Sequence, residues 1–240
     1  MVLFKNPEQS HDHSLKTLDL IYKYDDYLDS LTVIADMGRG AGHDVRWWAT
    51  LETRDDPPEP HNYIVYAVDQ NTQRIEDDVL KLKNVIPIQG NFEEPILPRK
   101  VDLIWAHNVF QTVMDPFKCL VAWKETMSVN GMLVLSIPQS TYFDSRANKL
   151  MITSHDHQYY SYNILSLMYM LAVNGFDCRD AYLLKKFQDP WIQLAVYKTD
   201  QAPMDPLTTR IRLCRTTAGA LHCAYSSPLN RSWPQLMVPR

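Results

Sequence analysis

Glycine is scarce in this chain: seven among 240, about 3% against a usual 7% or so in globular proteins. With 45% hydrophobic and 22% charged residues, the balance is that of a globular protein and excludes a disordered or fibrous one. Long apolar runs are missing too. None reaches the roughly 18 residues that a membrane span needs. The stretch Met1 to His13 carries Lys5, Asn6, Glu8 and two histidines where a secretory leader would be apolar. Basic blocks are absent: no Lys/Arg run exceeds Lys185-Lys186, and the formal net charge is −4, which argues against a protein built to grip nucleic-acid backbone. Cysteine is sparse and scattered, at positions 119, 178, 214 and 223 with no C-x-x-C pair. That usage suits reduced thiols in a cytoplasmic protein. Cys214, His222 and Cys223 match no zinc spacing, and His155-Asp156-His157 offers only two alternating ligands, so no metal is expected.

What remains is organised. A first helix is predicted through Leu15–Tyr22, and residues 1–30 are expected to form a helical lid. Apolar runs at 31–36, 63–69, 85–89, 101–106 and 132–137 read as buried strands. Helices are predicted between them at 44–51, about 72–83 and 115–129, the last closed by a left-handed turn at Asn130-Gly131. A helix at 163–173 follows, then strands at 176–187 and 191–197 joined by a turn at Asp189-Pro190. Strands apolar along their whole length and alternating with helices imply an α/β fold: a mostly parallel sheet covered on both faces. The last two strands suggest an antiparallel edge. This domain is expected over 31–198, with 199–240 as an arm or tail in which the pattern dissolves.

Three of the seven glycines fall together, in Asp36-Met37-Gly38-Arg39-Gly40-Ala41-Gly42-His43, between the first strand and its helix. In an open parallel sheet this is where a nucleotide-like ligand sits. Glycine there lets the backbone approach the ligand closely. A dinucleotide-binding turn needs G-x-G-x-x-G, but the third glycine position is His43 or Val45 according to register. The pattern present is D-x-G-x-G-x-G.

That pattern resembles the first motif of the class I S-adenosylmethionine-dependent methyltransferases. The order of the remaining segments is similar to that family over roughly residues 30–198. The resemblance implies a Rossmann-like seven-stranded sheet and S-adenosylmethionine as cofactor. It implies that Asp36, Gly38, Gly40 and Gly42 shape the pocket for the methionine end. It also implies that Asp69, ending strand two beside Gln70, accepts the ribose hydroxyls. Asp69 could instead cap the following helix. Asn91 would meet the adenine amine and Phe92 would stack on it; His107 follows strand four beside the methyl position. The segment His157 to Phe176 resembles the small-molecule branch typified by ubiquinone-biosynthesis-like enzymes.

The expected function is therefore methyl transfer to a small molecule, with oxygen among the acceptor atoms. Such an acceptor needs a base, for which His107 and His155 are the candidates. Tyrosines 22, 24, 27, 142, 159, 160 and 162 and Phe143 are placed to line an acceptor pocket. Arg39 stands where the family often has a cysteine or a small residue. It keeps open a second reading, a methyltransferase-shaped binding protein that does not turn over. The tail, with Ser226-Ser227-Pro228 and Trp233-Pro234 as docking segments for a protein partner or a second copy, supports the same reading. An NAD-dependent oxidoreductase is the third reading.

Overall fold

The computed structural model describes residues 26–53, 57–71, 75–139, 141–144, 149–152, 158–184, 191–199, 210–215 and 221–226. A 3-10 turn at Asp26–Ser30 leads into β1 (Val33–Met37), and α1 (His43–Ala49) follows the glycine turn. Then come β2 (Ile64–Asp69), α2 (Asp77–Leu80), β3 (Val85–Gln89) and β4 (Val101–His107). A 3-10 turn at Phe110–Thr112 precedes α3 (Pro116–Thr126) and β5 (Met127–Pro138). After these lie β6 (Thr141–Asp144), β7 (Lys149–Ile152), α4 (Ile164–Val173), β8 (Phe176–Leu184) and β9 (Trp191–Lys198). The last described strands are β10 (Arg210–Arg215) and β11 (Leu221–Ser226).

Seven strands form one sheet in the order β3-β2-β1-β4-β5-β9-β8. The first five pair in parallel, and β9 runs against both β5 and β8, so the reversal falls at the expected edge. Strand alternation divides the core in two. Val33, Ala35 and Met37 of β1 face Leu120 and Trp123 of α3 and Leu167 and Leu171 of α4. On the other side, Ile34, Leu103 and Trp105 pack with Val45 and Trp48 of α1 and Val79 of α2. Both faces are covered, which is why the strands read as continuous apolar runs. No helix among the described residues is long and apolar enough to cross a membrane.

Helix starts follow the chain closely. Asp115 Oδ1 accepts the Lys118 amide at 3.0 Å with Pro116 in the first turn, and Asn163 forms a capping box with Ser166. Two expectations need correction. Of the helix predicted over 72–83, the described residues 75–83 form a single turn, Asp77–Leu80. The Glu76 amide donates to the Ala41 carbonyl at 3.1 Å, which pins this segment to the glycine turn and delays the helix. Helix α3 stops at Thr126, and Asn130-Gly131 lies inside the first part of β5. There Asn130 takes the left-handed conformation (φ 58°), where the β4–β5 register shifts. Within 199–240, expected as an ordered arm or a tail, the described residues include β10 and β11, which form an antiparallel ribbon with β11 beside β8. The predicted helix at 15–22 lies outside the described residues.

Candidate active site

The residues singled out in the sequence gather at the carboxyl ends of β1, β2 and β4. Asp36 is on β1, in register with Trp105 of β4 on one side and Ala67 of β2 on the other. It faces the α1 side and is 2% exposed. Its Oδ2 has no hydrogen-bond partner. Burial drives its pKa well above the ordinary carboxylate range; Asp44 and Asp69 push the same way, and Arg39 opposes them.

The turn that follows is held by backbone bonds. The Gly38 amide donates to the Val68 carbonyl at 2.8 Å, and the Gly42 amide to the Arg39 carbonyl at 2.9 Å. Gly38 sits at φ 72°, and a Cβ there would lie 2.5 Å from Cγ2 of Val109, so both conformation and space demand glycine. A Cβ on Gly40 would meet nothing within 4 Å. The Cα face is bare here and meets open space, although the Gly40 amide and carbonyl are both hydrogen-bonded.

Asp69 ends β2 directly across from this opening. Its Oδ2 accepts the Gly40 amide at 3.1 Å and its Oδ1 the Asn71 amide at 2.8 Å. The helix-cap alternative fails, because α2 begins at Asp77 with Glu76 as its cap. Asp69 instead ties the β2 loop to the glycine turn. Gln70 and Asn91 are exposed neighbours at the next loop, their side chains 3.4 Å apart. Phe92 is half-buried against the α3 face of the core, and its carbonyl accepts Trp123 Nε1 at 2.6 Å.

His107 closes β4. Its Nδ1 lies 3.6 Å from Oδ2 of Asp44, which also accepts Trp105 Nε1 at 2.8 Å. The imidazole ring is inclined 24° to the Trp191 ring and 27° to the Trp105 ring. The register β4–β5–β9 places Ser136 and Gln193 in one row with His107, both buried. Ser136 Oγ has no hydrogen-bond partner. Asp44, Ser136, Gln193 and Trp191 escaped the sequence reading. Asp44 carried a weak signal as an acid in the first turn of the helix after the glycines, but the cross-strand row carried none. His155 and His157 lie outside the described residues, as do Tyr22 and Tyr24 and the side chains of Tyr27, Tyr142 and Phe143.

Arg39 is folded into the site, 5% exposed. Its Nη1 donates to the Gly40 carbonyl at 3.1 Å and its Nη2 to the Asn71 carbonyl at 3.2 Å. The guanidinium thus bridges the β1 and β2 loops while the Cα side of Gly40 stays clear. A groove of about 850 Å³ runs between the 94–100 segment and α3. It includes none of these residues, so the unmet carboxylate oxygen and the bare glycine are the better guides to a ligand.

Residues 35–135 match a family model described as a methyltransferase domain. This stretch opens one residue before Asp36 and ends within β5, one residue before Ser136. No curated protein matches the sequence. Solved structures share the fold at low identity. A 1,6-didemethyltoxoflavin-N1-methyltransferase of Burkholderia thailandensis, solved with bound 1,6-didemethyltoxoflavin and S-adenosylhomocysteine, superposes with TM-score 0.52 and 14% identity over 83% of this chain and 93% of its own. An S-adenosylmethionine-dependent methyltransferase of Clostridium acetobutylicum gives 0.56 and 13% over 82% and 93%. Phosphoethanolamine N-methyltransferase 2 of Haemonchus contortus, in complex with phosphomonomethylethanolamine and S-adenosylhomocysteine, gives 0.56 and 14% over 77% and 53%. The architecture is that of the Rossmann-like methyltransferase fold.

Proposed function

We propose that this protein is an S-adenosylmethionine-dependent methyltransferase of the small-molecule branch, acting on an acceptor that bears an O–H group. The observation that carries the cofactor assignment is the pairing of an unmet, buried Asp36 oxygen with the open Cα face of Gly40, beside the carboxylate of Asp69. Asp36 suits the amino group of the methionine end. Each Asp69 oxygen accepts one backbone amide and keeps capacity for a ribose hydroxyl. On this reading Asn91, with Gln70 3.4 Å from it, meets the adenine amine, and Phe92 offers a stacking face.

The cofactor supplies an electrophilic methyl group on a sulfonium. The protein's task is alignment, which can provide most of the rate. For a hydroxyl acceptor a proton must also leave. His107 is the described side chain suited to take it, and Asp44 on the Nδ1 side steadies the imidazolium that forms. His155 keeps the same role as a second candidate.

Arg39 supports a competing reading, a protein of this fold that does not turn over, because its guanidinium bridges the two loops that would hold the ligand. Calorimetry with S-adenosylmethionine, S-adenosylhomocysteine and NAD separates the readings. The methyltransferase assignment expects the first two to bind and NAD not to. It expects Asp69→Ala to weaken S-adenosylmethionine by about 1.5–3 kcal/mol, roughly 10- to 150-fold. Binding of none of the three supports the inactive protein, and unchanged affinity in the variant removes Asp69 from the site.

A further inference from the structure

Arg39 is a buried cation among carboxylates. Its guanidinium is held by two backbone carbonyls, those of Gly40 and Asn71, and its Nε has no hydrogen-bond partner. Its charge is felt at both ends of the candidate site: it opposes the rise in the Asp36 pKa, and Asp69 and Asp36 in turn hold its own pKa up against burial, which lowers it. The geometry agrees: the two residues whose carbonyls the guanidinium grips, Gly40 and Asn71, are those whose amides Asp69 accepts, and Arg39 itself stands three positions after Asp36.

The covalent structure of the cofactor gives that position a meaning. Its sulfur joins the methionine chain to the ribose. A ligand with its amino group at Asp36 and its ribose hydroxyls at Asp69 carries the sulfur between those carboxylates, in the region that Arg39 charges. S-adenosylmethionine has a positive sulfur there, and S-adenosylhomocysteine has a neutral thioether. The two ligands otherwise differ by one methyl group. A fixed cation nearby penalises the first and leaves the second almost unaffected, and inside a protein such a charge pair is screened far less than in water.

We propose that Arg39 is a specificity-determining residue that weakens the sulfonium cofactor relative to its demethylated product. The inference rests on the cofactor reading above and adds to it a charge-based preference for the demethylated ligand. It differs from the two simpler roles this side chain could have. A latch joining the β1 and β2 loops would support both ligands alike, and a steric plug would hinder both alike. Only a charge effect changes their ratio.

Titration calorimetry of the full chain with each ligand, for the wild type, Arg39→Met and Arg39→Lys, tests this. Removing the charge in Arg39→Met is expected to raise the ratio of S-adenosylmethionine to S-adenosylhomocysteine affinity about tenfold. Arg39→Lys keeps the charge and is expected to leave that ratio within about twofold of the wild type. Arg39→Gln carries the same expectation as the methionine variant and replaces it should urea denaturation show the latter to be unfolded. Both ligands binding with an unmoved ratio in the neutral variant overturns the role of Arg39 and leaves the cofactor assignment standing. A wild-type protein that binds neither ligand overturns both.

Discussion

Asp36 and Asp102 stand on adjacent strands of one sheet, at opposite ends, and their surroundings are inverted. Asp102, second in β4, accepts the Thr32 amide at 3.0 Å, the Thr32 hydroxyl at 2.8 Å and the Val33 amide at 3.0 Å. Burial alone would raise its pKa, yet these bonds, with one from Ser128, hold it below the ordinary value. Asp36 is more deeply buried, keeps an oxygen with no partner and has its pKa driven up. The amino ends of the strands are satisfied; the carboxyl ends hold unmet polarity. A fold that spends its hydrogen bonds at one end and withholds them at the other has separated stability from binding.

The contrast can be broken in graded steps. Gly38→Ala is expected to have the largest effect, a loss of roughly 2–5 kcal/mol in urea denaturation. The left-handed backbone disfavours a side chain, and its Cβ would collide with Val109. Asp102→Ala is expected to cost about 1–3 kcal/mol, since the Thr32, Val33 and Ser128 donors lose their acceptor, without altering the ratio of ligand affinities. The contribution of Asp102 also has a pH signature. With its folded pKa depressed, the stability it adds is present above the unfolded value of about 3.9 and is lost as pH falls through the folded value.

Asp36→Asn should behave oppositely. Removing a desolvated charge is expected to raise stability by about 1 kcal/mol at pH 8 while weakening S-adenosylmethionine. The sign follows from its raised pKa: the protonated carboxyl's contribution is fully present below the unfolded value of about 3.9 and is lost as pH rises through the folded value. The asparagine variant should not show that decline in pH-dependent denaturation. A destabilised variant would mean that Asp36 is a structural residue like Asp102. Thr32→Val, the mildest step, is expected to cost about 0.5–1 kcal/mol by removing one of the bonds to Asp102.

Much of the frame was readable in the chain. The apolar runs became β1 to β5, the Asp115-Pro116 and Asn163 caps start helices where expected, and the concentration of scarce glycine marks a turn that needs it. The misreadings share a cause. The helix over 72–83 has acceptable propensity, but the bond from Glu76 to Ala41 holds its first part to another loop. Asn130-Gly131 looks like a helix cap, yet it serves a register shift between β4 and β5. Long-range pairing overrode local preference in both.

The candidate site divides along the same line. Asp36, the glycines and Asp69 could be found because their spacing along the chain follows the strand–turn–helix unit that holds them. Asp44 beneath His107, the row His107–Ser136–Gln193 and the inward fold of Arg39 could not. By itself the sequence determined the order of strands and helices and the one turn at which backbone would be bare, since these depend on neighbours a few positions apart. Which carboxylate would be satisfied and which left wanting was decided only when distant strands came together, because a hydrogen bond or a desolvated charge is a property of the packed neighbourhood.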